Sequence, residues 1–258
     1  MTATAMLRRV RPRGPAPDAS VDNVTRAYET LRKVIVGGQL PPGARVSERV
    51  LAERLALSRT PVRSALHRLE QEGFVTSVGT GRERRLLVAP LTVDDGREVM
   101  CIVGQLEGLA ARTAAQLPQA QRRAIVKKLR DINAELDAVS PGAADSDRFF
   151  ELDNAFHNGY VDDVAGPRLL TLHRALKPQS ERYLRLYVSV LLDQVTTSVK
   201  EHEKIASCIA KGDADGAQRA AEANWQNAAE RLAHIISKQG ERGSWQDGRP
   251  DALPSRKR

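Results

Sequence analysis

The chain has 258 residues, and its formal net charge of +8 lies entirely in residues 1–90, where 16 lysines and arginines stand against 8 acidic residues. This asymmetry predicts a basic module with a polyanionic partner, joined to a neutral module. The sequence has no apolar run of ~18 residues, no apolar stretch after its N-terminal arginines and only two cysteines, which argues against a membrane span, a secretory signal and a disulfide scaffold.

The first ninety residues predict an arm followed by a small module of helices and strands. Residues 1–20 are rich in Ala, Pro, Arg and Gly without periodicity, which predicts a disordered basic arm that is either inert or in contact with DNA. The elements predicted after it are a helix at 21–36, a helix at 48–55, a helix that Ser58 or Thr60 caps and that runs to Glu72, and two short strands within 74–89.

This order of elements predicts a winged helix-turn-helix, in which the helix after the turn lies in the major groove of DNA. Arg59 and Arg63 are four residues apart, so they project from one face of that helix, where either can contact guanine bidentately. The hydroxyl groups of Ser58 and Thr60 suit phosphate oxygens. The glycine-tipped wing, with Arg82 at its end, fits a minor groove or the phosphate backbone.

Residues 31–75 carry four motifs, G-x-L-P-P-G, L-A-E-x-L, S-R-T-P-V-R and R-L-E-x-E-G, and with them this stretch closely resembles the GntR family of bacterial transcription regulators. The resemblance implies a sequence-specific DNA-binding domain, which we place at residues 21–90. The DNA contacts that the resemblance implies are Arg45, Arg49, Ser58, Arg59, Thr60, Arg63 and the wing residues Gly79 and Thr80.

From Thr92 onward only helical patterns occur, and proline and glycine separate them. The predicted helices span roughly 93–116, 118–139, 146–163, 167–177, 179–192, 194–211 and 213–238. Pro178 separates the fourth helix from the fifth, and residues 239–258 are predicted to be a flexible tail. The predicted fold is therefore mainly α, with an N-terminal winged helix-turn-helix that has a small β-hairpin wing, and a C-terminal all-α bundle at 91–238.

The C-terminal module resembles the FCD domain, the all-helical ligand-binding domain of the FadR subfamily, through the segments LEGLAAR (106–112), LDNAFH (152–157) and EHEKIASCIAKGDADGA (201–217). Many FCD domains hold a divalent metal through one carboxylate and three histidines. The resemblance places ligands at Asp153, His157 and His202, and the first two share a helix face. The fourth position is Asn224, whose amide oxygen is a poorer ligand for a soft ion than imidazole. Either a weakly held divalent ion (Zn, Ni or Mn) or a metal-free polar pocket is expected.

The effector site departs from the family pattern. In the family, an arginine on the first helix of this domain commonly holds an effector carboxylate, and the matching position here is Val103. Arg182 and Tyr183 are candidate replacements, and His173 is a third.

The resemblance implies a homodimeric regulator, by expectation a repressor, that binds a near-palindromic operator in double-stranded DNA and responds to a small-molecule effector such as a metabolite acid. Two other classes stay open. One is a metal-dependent enzyme that uses Asp153, His157 and His202, although the sequence offers no general base or nucleophile motif for it. The other is a sequence-blind architectural DNA binder. The cysteines, Cys101 and Cys208, favour a reducing cytoplasm.

Overall fold

The computed structural model describes residues 19–81, 84–139, 146–191, 195–243, 245–246 and 249–250. The elements of the N-terminal module are α1 (Ala19–Val36), β1 (Arg45–Val46), α2 (Glu48–Leu55), α3 (Arg59–Gln71), β2 (Val75–Val78) and β3 (Arg85–Val88). The strands form an antiparallel sheet of order β1-β3-β2, with Arg45 opposite Leu87 and Val75 opposite Val88. This arrangement confirms the predicted winged helix-turn-helix.

A shared apolar core fixes α3 in the N-terminal module. Val62, Leu66 and Leu69 are buried on one face of α3, and they pack in one cluster with Leu31 of α1 and with Phe74. Each such side chain contributes roughly 1.5–3 kcal/mol when it is fully buried. Because this face is anchored, the opposite face of α3 is held rigidly toward solvent.

The C-terminal module is a bundle of long helices, as predicted. Its elements are α4 (Val93–Gln116), α5 (Gln119–Asp137), α6 (Ser146–Val164), α7 (Pro167–Leu191), α8 (Val195–Lys211) and α9 (Ala214–Gln239), followed by the short strands β4 (Trp245–Gln246) and β5 (Arg249–Pro250). α4 and α9 pack closely because Gly104 has no side chain: a Cβ atom there would lie 2.8 Å from the Cβ of Trp225. None of the helices in the described ranges has the length and apolarity that a bilayer crossing requires.

Pro178 lies inside a helix, so the prediction that it separates two helices was wrong. α7 runs without interruption from Pro167 to Leu191. A proline lacks the N–H that would bind the carbonyl four residues earlier, which here belongs to Arg174. The guanidinium of Arg32, on α1, donates a hydrogen bond to that carbonyl. The acceptor that Pro178 leaves open is therefore satisfied by the N-terminal module.

This contact predicts a coupling between Arg32 and Pro178. Arg32→Met is expected to lower the free energy of unfolding by about 0.5–1.5 kcal/mol, because the carbonyl of Arg174 loses its donor. In a Pro178→Ala background the cost should be smaller, since alanine restores the helical N–H. Urea unfolding of the unchanged protein, the two single variants and the double variant gives the coupling energy. The contact of Arg32 with the Tyr28 ring is lost in both backgrounds, so it cancels in this energy. An equal cost of Arg32→Met in both backgrounds would contradict this explanation.

The ends of the C-terminal module are joined by backbone contacts. Leu91 and Arg242 exchange hydrogen bonds between their main chains, with N···O distances of 2.8 and 3.1 Å. α9 ends at Gln239, one residue beyond its predicted end. Most of the predicted basic arm, residues 1–18, and Arg82 of the wing lie outside the described residues, as does much of the predicted tail.

Candidate functional site

The exposed face of α3 carries the polar side chains that the sequence assigned to base and phosphate contact. Arg59, Thr60 and Arg63 are exposed, and Ser58 precedes the helix in an extended conformation. The Ser58 hydroxyl makes no hydrogen bond to the first turn of the helix, so it does not cap α3. It is therefore free to act as a donor to phosphate.

Glu48, at the start of α2, holds the two arginines of this face. Both Nε and Nη2 of Arg63 donate to its carboxylate, at 3.0–3.1 Å, and Nη2 of Arg59 lies 3.9 Å from it. The Arg63 side chain is still 66% exposed. The fork of Arg63 is thus pre-oriented by an acceptor that a guanine edge can replace.

The other predicted DNA contacts lie on the surface of the same module. Arg45 is exposed on β1, Arg49 is exposed on α2 and pairs with Glu53 at 2.7 Å, and Gly79 and Thr80 form the exposed tip of the wing. Gly79 has a φ of +82°, a left-handed conformation that favours glycine in this turn.

The predicted metal ligands come together inside the C-terminal bundle. Asp153 and His157 on α6 and His202 on α8 offer ligand atoms that all lie within 4.8 Å of one another. His202 Nε2 lies 3.6 Å from Asp153 Oδ1. Both histidines are buried, and Asp153 is partly exposed. We call these three residues the triad.

In both histidines the hydrogen bond is made by Nδ1, so the other ring nitrogen, Nε2, is available to bind an ion. Nδ1 of His157 lies 2.6 Å from Glu107 Oε2, and Nδ1 of His202 lies 3.2 Å from Asn133 Oδ1. Such partners fix the ring tautomer in metal sites. Nε2 of His202 is buried and has no hydrogen-bond partner among the residues that the structure describes. Burial, together with His157, lowers the pKa of His202 well below its ordinary value, so this ring is neutral and able to bind a metal.

Asn224 lines the same cavity as Asp153 and His157. Its side-chain amide donates to Glu201 Oε2 at 3.0 Å, and Glu201 also accepts hydrogen bonds from Arg231. The amide oxygen is therefore the only atom of Asn224 that can serve as a ligand. The donor set fits a divalent ion with three strong ligands and one weak one.

Glu107 is the functional residue that the sequence analysis missed. It is completely buried on α4, and its carboxylate accepts hydrogen bonds from the side chains of His157 (2.6 Å), His173 (2.9 Å), Tyr160 (3.0 Å) and Trp225 (2.8 Å). The Lys177 ammonium lies 3.4 Å away. Burial alone would raise the pKa of Glu107, but Lys177 and His157 hold it well below its ordinary value.

A signal for Glu107 was present in the sequence. On the apolar face of α4, positions 103, 107, 110, 111 and 114 are all buried, and the other four are Val or Ala. A lone glutamate at such a position needs buried donors. The structure also explains His173, one of the effector candidates, as a hydrogen-bond partner of this carboxylate.

The remaining effector candidates lie away from the triad, where the two modules meet. Nη2 of Arg182 donates to the backbone carbonyl of Ala89 at 2.6 Å, next to the chain segment that joins the modules. The hydroxyl of Tyr183 donates to Asp95 and accepts from the N–H of Thr92. Neither side chain lines the cavity beside the triad.

Comparison with known proteins gives consistent relationships. The family model for "Bacterial regulatory proteins, gntR family" matches residues 23–82, and the FCD domain model matches residues 98–227. A relative from Streptomyces ambofaciens, described as an uncharacterized HTH-type transcriptional regulator in an unstable DNA locus, is 32% identical over 72% of this chain and 75% of its own.

Another relative and a solved structure are consistent with these family matches. A probable D-xylose utilization operon transcriptional repressor from Paenarthrobacter nicotinovorans is 31% identical, over 72% of this chain and 78% of its own. A solved structure, a putative transcriptional regulator GntR from Rhodococcus sp. RHA1, is similar in fold, with a TM-score of 0.62 and 19% identity over 83% of this chain and 98% of that one.

Proposed function

The chain belongs to the GntR family of bacterial transcriptional regulators and carries an FCD domain, and we propose that it is a ligand-responsive repressor that reads a specific operator through α3. Members of this family regulate transcription and are not enzymes, so the metalloenzyme alternative is set aside. The relative named as a repressor supports the direction of control.

The observation that carries this proposal is the pair of exposed arginines on α3, Arg59 and Arg63. The carboxylate of Glu48 orients both of them, and the opposite face of α3 is packed into the apolar core. An arginine fork on a rigid helix is the most common means of reading guanine in the major groove. Selection of binding sites from random double-stranded DNA tests the proposal. An architectural, sequence-blind binder would enrich no motif.

We further propose that the operator is bound by a homodimer in the cytoplasm. A helix-turn-helix protein of this kind places one recognition helix in each of two half-sites, about one helical turn of DNA apart. The selected motif should therefore be a near-palindrome. Its two halves should be related by the two-fold symmetry of the dimer.

The triad is proposed as the site of a divalent transition-metal ion, Zn, Ni or Mn. Asp153, His157 and His202 would hold it, with Asn224 as the weak fourth ligand. When bound, the ion would supply a positive charge and an open coordination position in the core of the bundle. The orphaned Nε2 of His202 and the fixed tautomers of both histidines support this assignment.

Asn224→His is expected to tighten Zn²⁺ binding by about tenfold or more, because imidazole replaces an amide oxygen on a borderline-soft ion. Asn227→His is the matched control, since Asn227 also donates to Glu201 but is exposed. Competition with a chromophoric chelator measures the affinities. Asp153→Ala should lose the ion, and an unchanged Zn²⁺ affinity in Asp153→Ala would contradict the assignment.

A further inference from the structure

A cleft lies between the two modules, apart from the triad. α1 of the N-terminal module forms one wall and α7 of the C-terminal module forms the other. Its volume is about 210 Å³, and its lining includes the apolar residues Ile35, Val36, Leu91 and Leu186 and the two arginines Arg182 and Arg185. We call it the junction cleft.

Arg182 is the unusual member of this lining, because it is a buried cation without a carboxylate partner of its own. It is 4% exposed. Its two hydrogen bonds in the described part of the chain go to uncharged oxygens, of Gln179 and Ala89. Asp95, whose charge acts on Arg182 from a distance, instead accepts a hydrogen bond from Tyr183. A buried charge is costly unless it is paired, so an anion has a strong reason to bind here.

Arg182 remains positively charged at neutral pH. Burial lowers its pKa to about 10, which is still far above the pH of a cell. Arg185 is a second arginine of the cleft lining. Its guanidinium lies 3.9 Å from the centre of the Phe150 ring and 3.7 Å from Asp147, and the side chain is 37% exposed.

The sizes of the two cavities separate their possible ligands. The cavity beside the triad has a volume of about 40 Å³. At roughly 10–15 Å³ for each water, it holds an ion with about two waters but not an organic molecule of several carbons. The junction cleft is five times larger and has apolar walls.

We propose that the junction cleft binds a small carboxylate with a short aliphatic chain, its carboxylate on Arg182 and Arg185 and its chain against Val36, Leu91 and Leu186. Both modules would then contact the ligand. The effect of this ligand on transcription rests on the proposed function. A ligand held by both walls of the cleft favours the arrangement of the two modules in which α1 faces α7. α7 is already tied to the N-terminal module beside the cleft, because Gln179 donates to the backbone carbonyl of Glu72.

Isothermal titration calorimetry of the full chain with hexanoate tests the proposal. Hexan-1-ol lacks the charge and acetate lacks the chain, so both should bind far more weakly. Arg182→Met is expected to weaken hexanoate binding by about tenfold or more, because a charge-assisted hydrogen bond is lost. Arg185→Gln leaves the buried bonds of Arg182 intact and should weaken binding in the same direction, which covers the case that Arg182→Met folds poorly.

Arg168→Gln is the matched control, because Arg168 is an exposed arginine near the start of the same helix. Asp153→Ala should bind hexanoate as the unchanged protein does. The proposal is overturned if hexanoate does not bind to the unchanged protein. It is also overturned if hexanoate binds to both Arg182→Met and Arg185→Gln as tightly as to the unchanged protein. Either result leaves operator selection untouched, whereas a failed selection overturns the proposed function whatever hexanoate does.

Discussion

Glu107→Ala should lower the free energy of unfolding by about 3–5 kcal/mol, the usual cost of removing one partner of a buried ionic network. The change leaves the ammonium of Lys177 buried beside the Trp225 ring, 4.2 Å from its centre, without the one carboxylate that pairs with it among the described residues. It also removes the acceptor that orients His157. Chemical unfolding monitored by circular dichroism measures the loss, and Glu98→Ala, an exposed glutamate on the same helix, is the control.

A second substitution measures how much of this loss of stability comes from the unpaired charge of Lys177. In Glu107→Ala, the further change Lys177→Met removes the uncompensated charge and should recover part of the stability, because an apolar pair avoids the burial of a lone ion. The same Lys177→Met change in the unchanged protein should instead destabilise it. A loss below about 1 kcal/mol for Glu107→Ala would show that the network is not a main support of the bundle.

Arg63→Ala is expected to weaken binding to the selected operator by about 1–3 kcal/mol, or roughly five- to 150-fold, which is the usual discrimination from one bidentate contact with a base. Arg59→Ala should act in the same direction. Binding to unrelated DNA should change much less, because phosphate contacts supply most of that affinity. Arg123→Ala removes one exposed charge from α5 and serves as the control.

Arg63→Lys distinguishes the role of the fork from that of the charge. Lysine keeps the positive charge but not the planar pair of donors that Arg63 now presents to Glu48. Its operator preference should fall toward that of Arg63→Ala while its dependence on salt stays close to that of the unchanged protein. Full retention of sequence preference in Arg63→Lys would contradict bidentate reading at this position.

The architecture could be predicted from the sequence because its signals are local. Apolar periodicity and glycine or proline punctuation located α3, the wing and most helices of the bundle. Thr92 caps α4 by accepting a hydrogen bond from the N–H of Asp95. Pro178 misled the prediction because the donor that replaces its missing N–H, Arg32, lies 142 residues away in the chain. Local rules cannot supply such a partner.

The sites were predictable in part. The spacing of Asp153 and His157 placed them on one helix face, and the resemblance added His202, which the fold brings to them. Glu107 was missed because its five partners come from three other helices, α6, α7 and α9. Arg182 and Tyr183 were assigned to an effector by residue type alone, and only the packing of α7 shows that they lie where the modules meet.

Selection of DNA sites by the full chain from a random double-stranded library tests the central claim most directly. We predict an enriched near-palindrome with guanine-containing half-sites about one helical turn apart, whose recovery by Arg59→Ala and Arg63→Ala is strongly reduced. Binding of the recovered site should weaken steeply as salt increases. Recovery of no common motif, or of the same motif by both arginine variants, would contradict operator reading by α3.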